Sequence, residues 1–228
     1  TPAERYAAAK RRSAHPLTND FIAQFDFGFD DFQIAACHAV EEGRGVLVAA
    51  PTGAGKTVVG EFAAFSSLAK GKKCFYTTPI KALSNQKFHE FVERFGEERV
   101  GLLTGDTNIN SDAEIMVMTT EVLRNMLYAN SSTLLNLGAV VMDEVHYLAD
   151  KFRGAVWEEV LIHLMESVQV ISLSATVSNA EEFGEWLGEV RGQTDVIVSE
   201  IRPIPLYQHV LIGNRLIDLF SEPGRVNP

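Results

Sequence analysis

The chain has 228 residues, of which 46% are hydrophobic, and a formal net charge of −10 at pH 7. This length is enough for one domain, or one and a half, with a full buried core. The acidic balance argues against a nonspecific polycation, but it is compatible with a local strip that binds a phosphate backbone.

Targeting and redox features are sparse. The sequence has no run of about 18 apolar residues, so it predicts no membrane span and no membrane partner. The N-terminus lacks an apolar signal core, and its start at Thr1 rather than Met suggests a trimmed chain. Cys37 and Cys74 fall in separate predicted elements without metal-ligand spacing. We therefore expect reduced core thiols, no zinc site and a cytoplasmic location.

Two helices are predicted before the first strand. Residues 3–13 are helix-prone and carry a basic cluster at residues 10–12, which favours a solvated helix face over a nucleic-acid contact. Asp30 and Asp31 then cap a helix at about residues 32–42, and Gly43 ends it.

A glycine-rich loop between a strand and a helix is the strongest motif. The strand is Gly45–Ala49, and residues 58–68 form the amphipathic helix. The backbone N–H groups of such a loop, the helix N-terminus and a lysine together hold phosphate. The motif is a phosphate loop, with Ala50 where the general pattern has Gly; the alternative is a helix-capping turn. The residues predicted to bind ATP are Thr52, Gly53, Ala54, Gly55, Lys56 and Thr57, and the Thr57 hydroxyl is also predicted to contact Mg²⁺.

Two adjacent carboxylates supply a second piece of chemistry. Asp143 follows the apolar strand at residues 139–142, so it is expected to hold Mg²⁺, largely through water. Glu144 is expected to orient and deprotonate the water that attacks the γ-phosphorus, and Lys56 completes the catalytic set. The alternative is a helix N-cap for residues 145–149. His146 has no second histidine at metal-ligand spacing, so we expect it to be a hydrogen-bonding neighbour of the nucleotide.

An aromatic and an amide upstream of the loop predict a base site. Gln33 can both donate to and accept from an adenine edge, and the face of Phe27 can stack on the base. Taken singly, each of Phe27, Phe29 and Phe32 is more often a core residue.

The middle of the chain alternates between strands and helices. The predicted strands are at residues 73–77, 100–103, 115–118 and 139–142, and the helices at residues 80–95 and 120–128. Continuous apolar strands of this kind predict a mainly parallel α/β sheet covered on both faces, with ligands at the carboxyl ends of the strands. That edge suits contacts to a sugar–phosphate chain, although each loop alone fits ordinary turn chemistry. The residues predicted to contact nucleic acid are Pro79, Lys81, Asn85, Thr104, Gly105, Thr119 and Thr120.

The last third predicts a strand at residues 169–173, a helix at 179–187 and a strand at 195–198. Residues 202–206 are predicted to form a stiff, extended segment that leads out of the domain. Residues 207–212 could add an edge strand, and residues 216–220 a terminal helix or a ragged end.

Three segments, in this order, resemble motifs I, II and III of superfamily 2 helicases. They are APTGAGKT at residues 50–57, DEVH at residues 143–146 and SAT at residues 174–176. TTPIKALSNQK at residues 77–87 and RGAVWEE at residues 153–159 narrow the resemblance to the Ski2-like group over nearly the whole chain. Within it, residues 143–164 look most like the actinobacterial HelY-type helicases and, more distantly, the RNA helicases Mtr4 and Ski2.

The resemblance implies a first RecA-like lobe in which Gln33 and Phe27 bracket adenine. It implies that the strand at residues 169–173 inserts between the strands that carry the phosphate loop and Asp143, with Ser174 within hydrogen-bonding distance of the acidic pair. Ser174 and Thr176, with His146, would couple the nucleotide to movement of one nucleic-acid strand.

The domain prediction is a helical extension at residues 1–26, a RecA-like ATP-binding lobe at 27–202 and an exit at 203–228 toward a second RecA-like lobe. That lobe, and the arginine finger it would carry, are expected elsewhere in the protein. The predicted function is the ATP-binding lobe of an ATP-dependent RNA helicase. The alternatives are a DNA helicase or translocase, and a nucleotide-dependent nucleic-acid-binding module without unwinding.

Overall fold

The computed structural model describes residues 14–150, 154–175, 180–205, 207–222 and 225–226. The predicted helix at residues 3–13 lies outside these residues. The helices are α1 (Pro16–Ile22), α2 (Asp31–Glu41), α3 (Thr57–Ala69), α4 (Lys81–Phe95), α5 (Thr120–Tyr128), α6 (Gly154–His163) and α7 (Ala180–Arg191). The strands are β1 (Gly45–Ala49), β2 (Lys73–Thr78), β3 (Val100–Leu103), β4 (Asn108–Ile109), β5 (Ile115–Thr119), β6 (Leu137–Met142), β7 (Gln169–Ser174), β8 (Thr194–Val198), β9 (His209–Ile212), β10 (Arg215–Asp218), β11 (Phe220–Glu222) and β12 (Arg225–Val226).

The main sheet has eight strands in the order β4-β3-β5-β2-β6-β7-β1-β8. All its neighbours are parallel except β4, which runs antiparallel to β3. The predicted α/β fold with a mainly parallel RecA-like sheet is confirmed. The predicted insertion of β7 between β6 and β1 is confirmed as well.

The core lies on both faces of the sheet because its strands are apolar at successive positions. Phe75 and Tyr76, neighbours on β2, belong to different clusters, since successive side chains of a strand point to opposite faces. One cluster contains Phe21 and Phe62 from α1 and α3, and the other contains Trp157 from α6. The two cysteines are buried and unpaired, as predicted.

The C-terminal segment differs from the prediction. Strand β9 pairs antiparallel with β10 instead of joining the main sheet, so the edge strand proposed for residues 207–212 is wrong. The helix proposed for residues 216–220 is also wrong. Gly213, with a φ of +60°, and Asn214 connect the two strands, and this dipeptide is typical of a tight hairpin turn.

Four elements before the C-terminal hairpin carried too little sequence signal to be predicted. They are helix α1, the two-residue strand β4, the 3₁₀ turn Ser132–Leu134 and helix α6. Within the described part of the chain, no helix combines the length and the apolar character needed to cross a membrane.

Candidate active site

The phosphate loop connects β1 to α3, as predicted. Gly53 and Gly55 have φ values of +85° and +82°, a left-handed conformation that glycine adopts without strain. The Lys56 ammonium donates to the carbonyl oxygens of Ala50 at 2.7 Å and Pro51 at 3.1 Å. The Lys56 side chain thus reaches from the end of the loop back to its first two residues.

Gln33 links the start of α2 to this loop. Its side-chain oxygen accepts from the Asp30 N–H at 2.8 Å, and its side-chain nitrogen donates to the Gly55 carbonyl at 3.1 Å. The amide is 5% exposed, and a Cβ on Gly55 would lie 2.6 Å from its nitrogen. A side chain at position 55 would have to displace this amide as well as adopt a positive φ, so glycine is favoured there, and the amide predicted to contact adenine also holds the loop.

Phe27 is the exposed member of the aromatic group before α2. Its side chain is 56% exposed and is stacked on Phe29, with ring centroids 5.8 Å apart. Phe29 and Phe32 are partly buried against the core. Of the three candidates, Phe27 thus has a face that a base could stack on.

The acidic pair follows β6 at the same sheet edge. The Asp143 N–H donates to the Thr77 carbonyl at 2.9 Å, which continues the β2–β6 pairing by one residue. One oxygen of the Asp143 carboxylate accepts from the Tyr76 hydroxyl at 2.7 Å, and the other from the Glu144 N–H at 2.9 Å. Glu144 has a φ of 54° and a ψ of 40°, a left-handed conformation that is costly for a non-glycine residue.

The charges of the two motifs act on one another. Burial lowers the pKa of the Lys56 ammonium below its ordinary value, and the carboxylates of Glu144 and Asp143 oppose this effect. The phosphate loop and the acidic pair therefore share one electrostatic environment, although β7 lies between their strands.

His146 connects the acidic pair to the end of β7. Its Nδ1 lies 3.3 Å from the Glu144 carboxylate and accepts from the Ala175 N–H at 3.5 Å. The Ser174 side chain makes no hydrogen bond to Asp143 or Glu144 in the described structure, so the direct contact expected there is absent. The link between motifs II and III runs through His146. Thr176 lies outside the described residues.

Thr57 is the first residue of α3, and its hydroxyl accepts from the Lys87 ammonium at 3.1 Å. Lys87, on α4, also donates to Glu90 at 2.7 Å. A hydroxyl and a carboxylate are suitable ligands for Mg²⁺. No cluster of three or more His, Cys, Asp or Glu side chains suited to a metal occurs in the described part of the chain.

The seven residues predicted to contact nucleic acid lie at or after the carboxyl ends of three neighbouring strands, β3, β5 and β2, in the loops and at the starts of the helices that follow. Their side chains differ in accessibility. Lys81 and Gly105 are exposed and Asn85 is half-buried, whereas the others are buried: Pro79, Thr104, Thr119 and Thr120.

Two of the buried threonines have structural partners. The Thr120 hydroxyl donates to the Thr78 carbonyl at 3.3 Å, and the Thr104 hydroxyl to Asp106 at 3.1 Å. Asp106 also pairs with the Lys81 ammonium at 2.5 Å. These two threonines hold the loops, whereas the exposed Lys81 and Gly105 and the half-buried Asn85 are accessible to a nucleic-acid strand.

The family description "DEAD/DEAH box helicase" matches residues 30–183, more than half of the chain. The chain belongs to the DEAD/DEAH box helicases. It is 62% identical over 207 residues to the probable helicase HelY of Mycobacterium leprae, covering 91% of this chain and 22% of that protein. This places the helicase lobe in the Ski2-like group suggested by its motifs.

Two further relatives and one solved structure are similar to this helicase lobe. The ATP-dependent RNA helicase DExH15 of Arabidopsis thaliana is 51% identical over 90% of this chain and 18% of its own length. The antiviral helicase SKI2 of Saccharomyces cerevisiae is 42% identical over 97% of this chain and 18% of its own length. The structure of Mycobacterium smegmatis helicase Lhr bound to ssDNA and AMP-PNP is 30% identical, with a TM-score of 0.66, and the match covers 80% of this chain and 27% of Lhr. The chain therefore spans about a fifth of the curated relatives it matches.

Two residues of the site were not predicted from the sequence. Tyr76 and Lys87 lie within or next to the segment that carried the family resemblance, but nothing in their spacing indicated a contact with Asp143 or Thr57. The partners are 67 and 30 residues apart. Only the parallel pairing of β2 with β6 and the packing of α4 beside the phosphate loop bring them together.

Proposed function

We propose that this chain is the ATP-binding lobe of an ATP-dependent helicase that acts on RNA and works with a second RecA-like lobe of the full-length protein. The observation that carries the proposal is the common environment of the phosphate loop and the acidic pair, in which Asp143 and Glu144 affect the pKa of Lys56. Residues 27–202 would form the lobe, preceded by an extension at 1–26 and followed by an exit at 203–228.

In this proposal the loop N–H groups and Lys56 bind the terminal phosphates of ATP. Phe27 stacks on the adenine. Gln33, whose side-chain oxygen and nitrogen are engaged by the Asp30 N–H and by the carbonyls of Ala54 and Gly55, fixes the loop beneath the base and would exchange one of these bonds to contact it. Thr57 and Asp143 would hold Mg²⁺, largely through water. When bound, the ion neutralises charge on the phosphates.

Glu144 is the proposed general base. Its left-handed backbone directs its side chain away from that of Asp143, so the two carboxylates can serve different partners. A carboxylate within reach of the attacking water would orient that water and accept its proton. The Nδ1 atom of His146 lies near the Glu144 carboxylate and accepts from the N–H of Ala175, which follows β7, and this position supports a role in coupling with Ser174 and Thr176.

One nucleic-acid strand would lie along the edge formed by the loops after β2, β3 and β5. Lys81 supplies the charge, and Gly105 and Asn85 offer backbone and amide contacts, which suit a sugar–phosphate chain. The name of the relative DExH15, an RNA helicase, supports RNA as the substrate. The ssDNA bound in the Lhr structure supports DNA. Backbone contacts of this kind do not read the 2′-hydroxyl, so they do not distinguish RNA from DNA. Unwinding therefore has to be compared on both kinds of duplex.

The test is strand displacement by the full-length protein on matched RNA and DNA duplexes with 3′ and 5′ overhangs. We expect ATP-dependent unwinding of RNA that Lys56→Ala abolishes. Displacement of DNA alone would favour the DNA helicase. ATP-dependent binding with no displacement of either duplex would favour the binding module.

The 228-residue chain by itself is expected to bind ADP or ATP weakly and to hydrolyse almost nothing, because closure between lobes and the arginine finger would come from the second lobe. A turnover assay on the chain and on Glu144→Gln checks this. A robust rate that depends on Glu144 would contradict the proposal that the site is shared between two lobes.

A further inference from the structure

Tyr76 is the one fully buried tyrosine in the described part of the chain, and its hydroxyl points at the edge of the sheet. Its ring packs edge-on against Phe91, with centroids 5.1 Å apart, and faces Gly60 on α3. A Cβ on Gly60 would lie 2.7 Å from the tyrosine ring. The ring therefore occupies a slot whose shape leaves it little freedom to turn.

A buried tyrosine hydroxyl needs a hydrogen-bond partner, and a backbone carbonyl would satisfy that need. The partner here is instead the Asp143 carboxylate, at 2.7 Å. Because an ionised carboxylate only accepts hydrogen bonds, the Tyr76 hydroxyl is the donor in this pair.

The Asp143 carboxylate is held at both of its oxygens, by the Tyr76 hydroxyl and by the Glu144 N–H. Two donors on two oxygens fix the position of the carboxylate and the rotation of its plane. Each oxygen of a carboxylate has about two lone-pair sites, so each retains one for a water molecule on a metal ion. Groups that orient metal ligands in this way commonly change metal affinity by about 10–100-fold when removed.

We propose that Tyr76 is a positioning residue of the magnesium-dependent nucleotide site, and that it acts by holding the Asp143 carboxylate toward the phosphate loop. This inference rests on the proposed function, because it assumes that Asp143 faces Mg²⁺. It adds a residue that contacts neither nucleotide nor metal. It predicts a defect in metal dependence instead of a general loss of nucleotide binding.

The test is Tyr76→Phe, which removes the hydroxyl and keeps the ring. ADP binding is measured by calorimetry on the 228-residue chain, first in EDTA and then across a magnesium titration. We expect ADP affinity in EDTA to stay within about twofold of the wild type, and the half-saturating magnesium concentration to rise by about tenfold or more. Tyr128→Phe is the matched control, because Tyr128 is exposed at the end of α5 and should leave both values unchanged.

Two further measurements separate positioning from simple structural support. In an Asp143→Asn background, Tyr76→Phe should produce no additional shift in magnesium dependence, since the residue acts through that carboxylate. If Tyr76→Phe does not fold, Gly60→Ala, which displaces the ring and keeps the hydroxyl, should shift the magnesium titration in the same direction.

The possible outcomes are distinct. A wild-type chain that binds ADP with a clear magnesium dependence, together with a Tyr76→Phe chain that shows the same titration, overturns the role of Tyr76 and leaves the proposed function standing. A wild-type chain whose ADP affinity does not respond to magnesium contradicts the proposed site itself, and the role of Tyr76 falls with it.

Discussion

Gly60 lies on α3 where the helix crosses the sheet, and replacing it with alanine tests how tightly this part of the site is packed. The added Cβ would lie 2.7 Å from the Tyr76 ring, 3.2 Å from Val141 and 3.5 Å from Leu173. The nearest of these distances is shorter than real side chains tolerate. Because the Tyr76 ring is held by Phe91 and by its hydrogen bond to Asp143, the added carbon can displace it only by straining these contacts.

Two effects of opposite sign decide the outcome. Alanine is favoured over glycine inside a helix by about 0.8–1 kcal/mol. Forcing an extra carbon into a well-packed core typically costs about 1–3 kcal/mol. Because the contact is with a fully buried ring, we expect the steric cost to exceed the helix gain by about 1 kcal/mol, which lowers the Tm of a chain of this size by roughly 2–4 °C.

The assay is thermal unfolding followed by circular dichroism, with Gly188→Ala on α7 as the matched control. No atom lies within 4 Å of a Cβ added to Gly188, so this variant gains the helix preference without a clash. We expect it to be more stable than the wild type by up to about 1 kcal/mol. The reasoning is refuted if Gly60→Ala unfolds at or above the wild-type temperature while Gly188→Ala is stabilised.

Two other predictions follow from charged groups. Burial raises the pKa of Glu41. Hydrogen bonds from the side chain and backbone of Thr18 and from the backbone of Leu17 outweigh burial and hold the pKa of this carboxyl below its usual value. Its stabilisation is therefore present above the unfolded pKa and is lost as the pH falls through the folded pKa. Glu41→Gln should lower the Tm at about pH 7, with a difference that shrinks toward about pH 3; an unchanged gap across this range would contradict it. Asp106→Asn should strengthen binding of single-stranded RNA severalfold in a fluorescence-anisotropy titration, since it frees Lys81, whereas the exposed control Asp112→Asn should have a smaller effect.

The fold could be predicted where one local signal was sufficient. Continuous apolar runs gave the bounds of β1 and β3, and the phosphate loop located the helix behind it. The position of β7 was predicted from the family resemblance, since apolar runs alone do not set strand order. The C-terminal hairpin was not predicted although Gly213 and Asn214 carry a turn signal, because the two segments beside them were considered separately, as an edge strand and as a terminal helix or a ragged end.

The candidate site could be predicted only in part, because sequence motifs identify residue types but not their contacts. The loop and the acidic pair were identified from local pattern. The burial of Thr104 and Thr120 could not be predicted from local pattern. A hydroxyl at the end of a strand can face solvent or a neighbouring loop, and the tertiary structure decides which of the two it faces. The bonds from Tyr76 and Lys87 depend on strands and helices that are far apart in sequence.

These two bonds come from one continuous segment, β2 and α4, and that continuity has a mechanical consequence. Tyr76 near the end of β2 contacts Asp143, and Lys87 on α4 contacts Thr57, so the segment reaches both residues proposed to face the metal. The same segment carries Lys81, the exposed cation of the proposed nucleic-acid edge. If β2 and α4 move as one body, a nucleic-acid strand that pulled on Lys81 would also move Tyr76 and Lys87. Through these two side chains it would act directly on Asp143 and Thr57. A double-mutant cycle between Lys81 and Tyr76, in which the magnesium-dependent affinity for nucleotide is measured with nucleic acid bound, would give that coupling as a free energy.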